Sequence, residues 1–254
     1  MKVSVITVTK NSARTIERTV RSVSLQRDVE VEHIIKDAIS SDHTVQIAKS
    51  INPSIFVFSQ TDDGIYDAMN QGYALSTGDI VAFLNSDDYY IDSDVVFDVL
   101  QAFHSSGCDF VYGDITMSSI SGEIVRDWRT GEIGERGLIG NQIPHPGIFI
   151  KRQILDQLVS PFDSSYKISA DLKQQLLLIN ILKCKGHYLR RPLVIMETGG
   201  ESTNSLSSYI LGWKESIRAY NEVVGRGGAF FVFKKIISKL SGVRLKALLC
   251  HFGK

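Results

Sequence analysis

Cysteine is scarce and scattered in this 254-residue chain: Cys108, Cys184 and Cys250 are far apart, odd in number and never set in a Cys-x-x-Cys pair. That pattern suggests neither a disulfide framework nor a zinc site and predicts reduced thiols. No apolar run approaches the length that spans a bilayer, and the chain enters a strand at Lys2-Val3 without the charged and apolar segments of a secretory leader. The expectation is a cytoplasmic protein. Neither sign of charge is in excess, with 28 Lys and Arg against 28 Asp and Glu, so the overall balance points to no nucleic-acid partner. Repeats and low-complexity segments are also absent. One absence is regional. No acid follows Glu222, whereas Arg226, Lys234, Lys235, Lys239, Arg244, Lys246 and Lys254 do.

What remains, 43% hydrophobic and 22% charged, is ordinary for a globular chain with a full core, and one α/β domain with a smaller appendage is the natural expectation. The most informative stretch is GDIVAFLNSDDYY, from Gly78 to Tyr90. Ile80 to Leu84 read as a strand buried on both faces, ending abruptly in Asn85, Ser86, Asp87 and Asp88. Ligands of open α/β sheets bind at the carboxyl ends of strands, and adjacent carboxylates attract a hard cation that can recruit phosphate oxygens. The same four residues also read as a turn in which Asp87 or Asp88 caps a helix starting near Asp92.

Before this stretch, strands at Val3 to Val8, Val31 to Lys36 and Ile55 to Phe58 alternate with helical patterns. The first helix follows an Asn11-Ser12 cap and carries Ile16, Val20 and Val23; the second carries Val45, Ala48 and Ile51; the third carries Ile65, Met69 and Tyr73. That rhythm implies parallel neighbours joined by right-handed crossovers. Further on come a helix through Val95, Val99 and Phe103, a strand at Phe110 to Tyr112, and a hairpin from Ile115 to Trp128. Thr130 to Gln142 has no period and reads as a loop over a site; Pro144 to Gly147 form a turn before a strand at Ile148 to Ile150. A helix after Ser169-Ala170-Asp171 and a strand from Tyr188 to Met196 complete this half. In the tail, Phe230, Phe233, Ile237 and Leu240 share a helical face flanked by lysines, with Gly242 interrupting before Leu245. Such a helix either lies in an anionic membrane surface or packs its apolar face on the domain.

Six motifs in order then carry a resemblance: VSVITVTKN from Val3, KDAISSDHT from Lys36, TDDGIYDAMNQG from Thr61, the Asn85 to Asp88 cluster, SAD at Ser169 to Asp171, and ETGGES from Glu197. Together they resemble the inverting family 2 glycosyltransferases of the GT-A fold, in particular bacterial members that build exopolysaccharide, capsule or O-antigen units. The resemblance spans about residues 1 to 205. It implies an α/β GT-A domain, a mostly parallel sheet flanked by helices, with a nucleotide-sugar half at 1–115 and an acceptor half at 116–205; it does not extend into the region at 206–254, which the residues themselves mark as a helical, basic, amphipathic extension.

By that resemblance Thr7, Val8 and Thr9 line the base pocket, and Asp37 accepts a hydrogen bond from the base. Asp62 and Asn70 lie beside the nucleotide-sugar, with Asn85 and Ser86 near the diphosphate. Asp87, with Asp88 next to it, is implied as ligand of a divalent metal, manganese or magnesium, Asn85 standing where the family has the first acid of Asp-x-Asp. Lys10 and Ala38 also depart from the family pattern, which leaves the base open. Asp171 resembles the general base, and His145 a family histidine on the acceptor side; Gly199, Gly200 and Ser202 resemble a loop closing over the acceptor. Each has a plain alternative: a turn at Asp37 and at Asp63-Gly64, a helix-capping acid at Asp171, a buried turn histidine at His145. The expected activity is transfer of a sugar from a nucleotide-sugar to a saccharide acceptor, lipid-linked if the basic tail meets a membrane. A catalytically silent nucleotide-sugar sensor or scaffold is the alternative; a nucleotidyltransferase fits less well, since Thr9 to Ser12 lack the glycines of a triphosphate loop.

Overall fold

The computed structural model describes residues 1–198 and 206–241, with side chains in the second stretch described for 207–237. The expected loop at Gly199, Gly200 and Ser202, the Leu240 side chain and the tail beyond Ser241 lie outside the described residues. In chain order the elements are β1 (Val3–Thr9), α1 (Ile16–Ser24), β2 (Val31–Asp37), α2 (Thr44–Ile51), β3 (Phe56–Ser59), α3 (Ile65–Leu75), β4 (Ile80–Phe83), β5 (Tyr89–Tyr90), α4 (Val95–Ser106), β6 (Phe110–Ser118), β7 (Ile124–Trp128), β8 (Ile148–Lys151), α5 (Arg152–Leu155), α6 (Ala170–Leu176), β9 (Gly186–Glu197), α7 (Leu206–Val224) and α8 (Gly228–Ser241).

The strands form one nine-stranded sheet in the order β3-β2-β1-β4-β8-β6-β9-β5, with β7 hairpinned onto β6. β1 is parallel to β2 and to β4, placing Thr9 opposite Asp37 and Ile6 opposite Phe83. β8 is antiparallel to both β4 and β6, so β6 runs with β4, and β9 runs parallel to β6. The carboxyl ends of β1, β2, β4, β6 and β9 therefore share one rim. Side chains alternate across the sheet. Ile6, Val8, Phe83 and Tyr112 pack under α3 and α6, while Val3, Val5, Ala82 and Val111 pack under α4. Contact between α3 and β1 is close enough that a Cβ on Gly72 would lie 2.5 Å from Ile6 Cγ2.

Several boundaries differ from those expected. α1 opens at Ile16 rather than beside Ser12, because Asn11 takes a left-handed conformation (φ 51°) and the Ser12 carbonyl closes a turn with the N–H groups of Thr15 and Ile16. The strand expected at Phe110 to Tyr112 continues to Ser118. Gly113 and Asp114 hide it from an apolar pattern, yet it is buried between neighbours nearly throughout. Two-residue β5 falls inside the acidic stretch, where Tyr89 pairs with Ile195.

Candidate active site

The acidic turn is gripped by α1. Asp88 N–H donates to the Asn85 carbonyl at 3.1 Å, and Thr19 Oγ1 donates to the carbonyls of Ser86 (3.0 Å) and Asp88 (2.8 Å). Ser12 and Ser86 hydroxyls meet at 2.8 Å. α4 opens only at Val95, so the turn is not its cap. Asp88, expected beside Asp87 at the metal, is 1% exposed and takes a bond from Asn85 Nδ2 at 3.2 Å, so it turns to the interior of the turn. Burial, reinforced by the charge of Asp87, holds its carboxyl well above the ordinary range. Asp87 stays on the rim, half-buried. Its carboxyl is raised by burial and by Glu197, against the pull of Arg18 and Arg14.

Of those three charged residues, Glu197 was named only as the start of the ETGGES motif, and Arg14 and Arg18 carried no expectation. Glu197, the last residue of β9, is an almost buried carboxylate bonded by both Arg14 and Arg18. Burial alone would push its carboxyl up; the two arginine bonds outweigh it and leave it low. Arg18 also donates to the Asp87 carbonyl at 3.3 Å and lies over the Tyr89 ring. The available signal was the spacing of Arg14 and Arg18, four apart and off the apolar stripe of Ile16, Val20 and Val23.

Along β1, Thr7 Oγ1 lies 3.0 Å from Nε2 of His33, which is buried near the start of β2, the Val8 side chain is core, and Thr9 Oγ1 is buried with no partner among the described residues. Asp37 accepts the Ser40 N–H (3.2 Å), so it braces its own turn as well as ending a strand at the rim. Asp62 pairs at 2.8 Å with Lys36, whose side chain is 0% exposed and also donates to the Gln60 carbonyl. A lysine between Ile35 and Asp37 on a buried strand was the signal for that pair. Asn70 departs from its expected place beside the sugar. Its amide both donates to the Phe162 carbonyl (2.8 Å) and accepts the Phe162 N–H (3.0 Å), which spends both polar ends on fastening α3 to the segment before α6.

Asp171 lies in the first turn of α6. Gln142 Nε2 donates to its Oδ2 at 2.6 Å, and the Tyr66 hydroxyl stands 3.4 Å from Oδ1 while bonding the Ile168 carbonyl at 2.6 Å. The entry to α6 is capped from a distance: Glu215 of α7 accepts the N–H groups of Lys167 (2.9 Å), Ile168 (2.8 Å) and Ser169 (2.9 Å). Lys235 of α8 donates to Gln142 Oε1 at 2.6 Å. His145 packs between Phe83 and Phe162, with ring centroids 5.6 and 5.3 Å away. Burial lowers its affinity for a proton, the charge of Asp171 opposing, and both ring nitrogens are buried without partners among the described residues. Because Phe83 ends β4, this contact brings the Asp171 side to the same rim as Asp87.

Among the described residues no group of three or more His, Cys, Asp or Glu could cage a metal. The Asp87 carboxylate and the unpartnered, buried Asn85 Oδ1 are hard oxygen donors that suit magnesium or manganese only if phosphate oxygens and water complete the shell. A polar pocket of about 610 Å³ lies away from Asp87, around Asp114, Asp127, Tyr188 and Arg190 of β6, β7 and β9.

With this geometry in hand, comparison with known proteins is specific. Residues 4–168 match the family described as glycosyl transferase family 2. An uncharacterized glycosyltransferase of Mycobacterium tuberculosis is 32% identical over 216 residues, which cover 83% of this chain and 80% of that protein. A PGL/p-HBAD biosynthesis glycosyltransferase of Mycobacterium bovis is 30% identical over 173 residues, 66% of each chain. Among solved structures, Staphylococcus aureus TarS superposes with a TM-score of 0.71 at 19% identity over all of this chain, which spans 46% of that one. Glucosyl-3-phosphoglycerate synthase of M. tuberculosis gives 0.63 at 18% identity over 89% of this chain and 79% of its own. These likenesses make the fold GT-A, and the match over the rim-forming strands carries the conclusion that the chain belongs to glycosyl transferase family 2.

Proposed function

We propose that this family 2 transferase is a metal-dependent, inverting enzyme that moves a sugar from a nucleotide-diphosphate donor to a lipid-linked saccharide, at the cytoplasmic face of a membrane, in the synthesis of cell-surface polysaccharide. The observation that carries the reading is a single sheet rim bearing Asp87 at one station and Asp171 at another, with Thr9 Oγ1, Asn85 Oδ1 and both His145 nitrogens buried without partners among the described residues. Buried polar atoms of this kind cost stability unless a ligand meets them. TarS is described in complex with UDP-GlcNAc, and the synthase with manganese, UDP and phosphoglyceric acid, which supports the donor class and the metal.

A divalent cation held by Asp87 and Asn85 would supply Lewis-acid stabilisation of the departing diphosphate. The chain's own residues do the rest. Asp171 accepts the proton of the acceptor hydroxyl as that oxygen attacks the anomeric carbon, and attack opposite the leaving group inverts the centre. Gln142 and Tyr66 fix the carboxylate's direction, and Glu215 fixes the turn that carries it. His145, kept neutral by burial, can donate or accept one hydrogen bond at the rim without adding charge. The polar pocket at Tyr188 supports a saccharide on the β6 and β9 side.

The exposed face of α8 supports the membrane. Phe230, Phe233 and Ile237 point outward beside Lys234, whereas Phe231 and Val232 are buried. Among the described residues no helix is long and apolar enough to cross a bilayer, so this reading is of a surface-lying helix.

The test is a panel of nucleotide-sugars screened by thermal shift with manganese, followed by turnover with the donor that binds. Asp87→Ala is expected to lose metal-dependent donor binding. Asp171→Asn is expected to keep binding and to lose turnover by about 10² to 10⁴-fold. Binding with no turnover in the unaltered protein, indifferent to Asp171→Asn, would favour the silent sensor.

A further inference from the structure

α8 makes two unrelated kinds of contact. Outward, Phe230, Phe233 and Ile237 recur at helical spacing and are 61%, 58% and 49% exposed, with the Lys234 ammonium 4.6 Å from the centre of the Phe230 ring. An amphipathic helix whose outward stripe holds aromatics is short of a partner. Charge says which kind. The seven Lys and Arg beyond Glu222 are balanced by an equal excess of acid in residues 1–222, so this neutral protein is an acidic body with a basic end. An anionic lipid surface fits that end and repels the rest.

Inward, α8 touches the loop that carries Gln142. A Cβ on Gly140 would lie 2.3 Å from Lys234 Cβ, so helix and loop are in direct contact there. One residue on, Lys235 Nζ donates to Gln142 Oε1 at 2.6 Å, and the same amide donates from Nε2 to Asp171 Oδ2 at 2.6 Å. A planar amide cannot turn one end without turning the other, so the lysine's position sets the direction of the bond to the carboxylate. The loop is also tied to α6: Ile143 N–H donates to Gln175 Oε1 (3.0 Å), and Gln175 Nε2 donates to the Ile143 carbonyl (2.9 Å).

We propose that Gln142 and Lys235 are positioning residues that couple seating of α8 on an anionic lipid surface to the orientation of Asp171. The inference rests on the proposed roles of Asp171 and of the membrane, and adds that the two are one device. Lipid fixes α8, Lys235 fixes the Gln142 amide, and the amide aims the carboxylate; off the surface, the same helix is free to shift and the aim is looser.

The test is amide hydrogen exchange on the full chain with vesicles of phosphatidylglycerol and phosphatidylcholine, phosphatidylcholine vesicles serving as control. Anionic vesicles are expected to slow exchange across residues 138–143 and 168–172 by at least about threefold. Gln142→Leu and Lys235→Met are expected to bind the vesicles and lose that protection, and Lys235→Arg, which keeps a donor, to recover it. With the donor found by the panel, the first two variants should lower kcat by about tenfold while leaving donor KM within about twofold, a split that mere loosening of the fold would not give. Vesicles that bind without altering exchange at these residues would overturn the coupling and leave the membrane reading intact. Absence of vesicle binding, or a dimer that Phe233→Ser dissociates, would overturn both.

Discussion

At the scale of single residues, His33 gives the cleanest handle on the polar groups buried in the sheet. It opens the buried run of β2, opposite Val5 of β1, and burial drives its pKa from 6.5 to about 3. A histidine depressed on folding contributes stability that is complete above its unfolded value and is lost as pH falls towards the folded one, because only the unfolded chain takes up the proton between them. Between pH 6.5 and about 3 this residue should therefore cost about 1.4 kcal/mol of stability per pH unit. His145, also lowered by burial, adds a slope of the same sign. His33→Gln keeps a polar contact for Thr7 and should remove only the His33 share, read as a shallower fall in urea-derived stability on acidification. An unchanged slope would mean that His33 is already protonated in the folded protein. The neighbouring residue pair makes the complementary point: Asp87 and Asp88 are adjacent in sequence, yet one faces the rim and the other the core, a division that follows from the Asn85 turn and that composition alone does not reveal.

At the scale of elements, what could be read from the sequence was whatever an apolar run announces. The strands at Val3 and Val31 end in Thr9 and Asp37, the strand at Ile80 ends at Phe83 two residues short of Asn85, and their parallel register brings those ends together as expected. The helix that opens at Asp171 was legible from the small residue and the apolar spacing around it. Its supports were not. Gln142 sits in a loop without period, and Glu215 lies 44 positions beyond the carboxylate it serves; both act through contacts that no local pattern encodes. Asn70 misled for the same reason, since a polar residue on α3 has no sequence mark saying that it will bridge to Phe162. Glu215 is where this ignorance becomes a prediction. Three consecutive N–H groups at the entry of α6 share one buried carboxylate, and Glu215→Ala leaves them without it. A loss of about 2 to 4 kcal/mol is expected from chemical denaturation, together with a fall in kcat larger than the change in donor KM, because the turn it fixes carries Asp171. Glu215→Gln should recover part of the stability, as one amide oxygen still accepts; equal damage from both variants would point to packing rather than capping.

At the scale of the whole molecule, the question is where the catalytic unit ends. The family match stops at residue 168, and the resemblance in the sequence runs to about residue 205, which suggests a domain with a detachable tail. The bonds argue for a later boundary. α7 braces the entry to α6 through Glu215, and Glu222 accepts from Lys173 (2.6 Å), from the Tyr166 hydroxyl (2.8 Å) and from Arg218 (2.7 Å), so the helix that carries Asp171 is held by α7 at its entry and at its middle. α8 contributes less to the body: Phe231 stacks on Tyr220, Val232 is buried and Ile236 packs partly buried against the core, while Phe230, Phe233 and Ile237 face out. Burying those two side chains is worth about 3 to 6 kcal/mol, a large share of the stability of an ordinary domain but not the whole of it. A chain ended at Val224 should therefore still melt cooperatively, at lower temperature, with donor affinity retained, vesicle binding gone and kcat reduced to the level of Lys235→Met. A chain ended at residue 205 loses the α6 cap and the Glu222 bonds as well, and should lack a cooperative near-ultraviolet melt even though the whole nucleotide-side sheet is present. If that shorter chain melted like the full-length protein, α7 would be an ornament on a complete domain, and the route from the basic end of the molecule to Asp171 would have no structural footing.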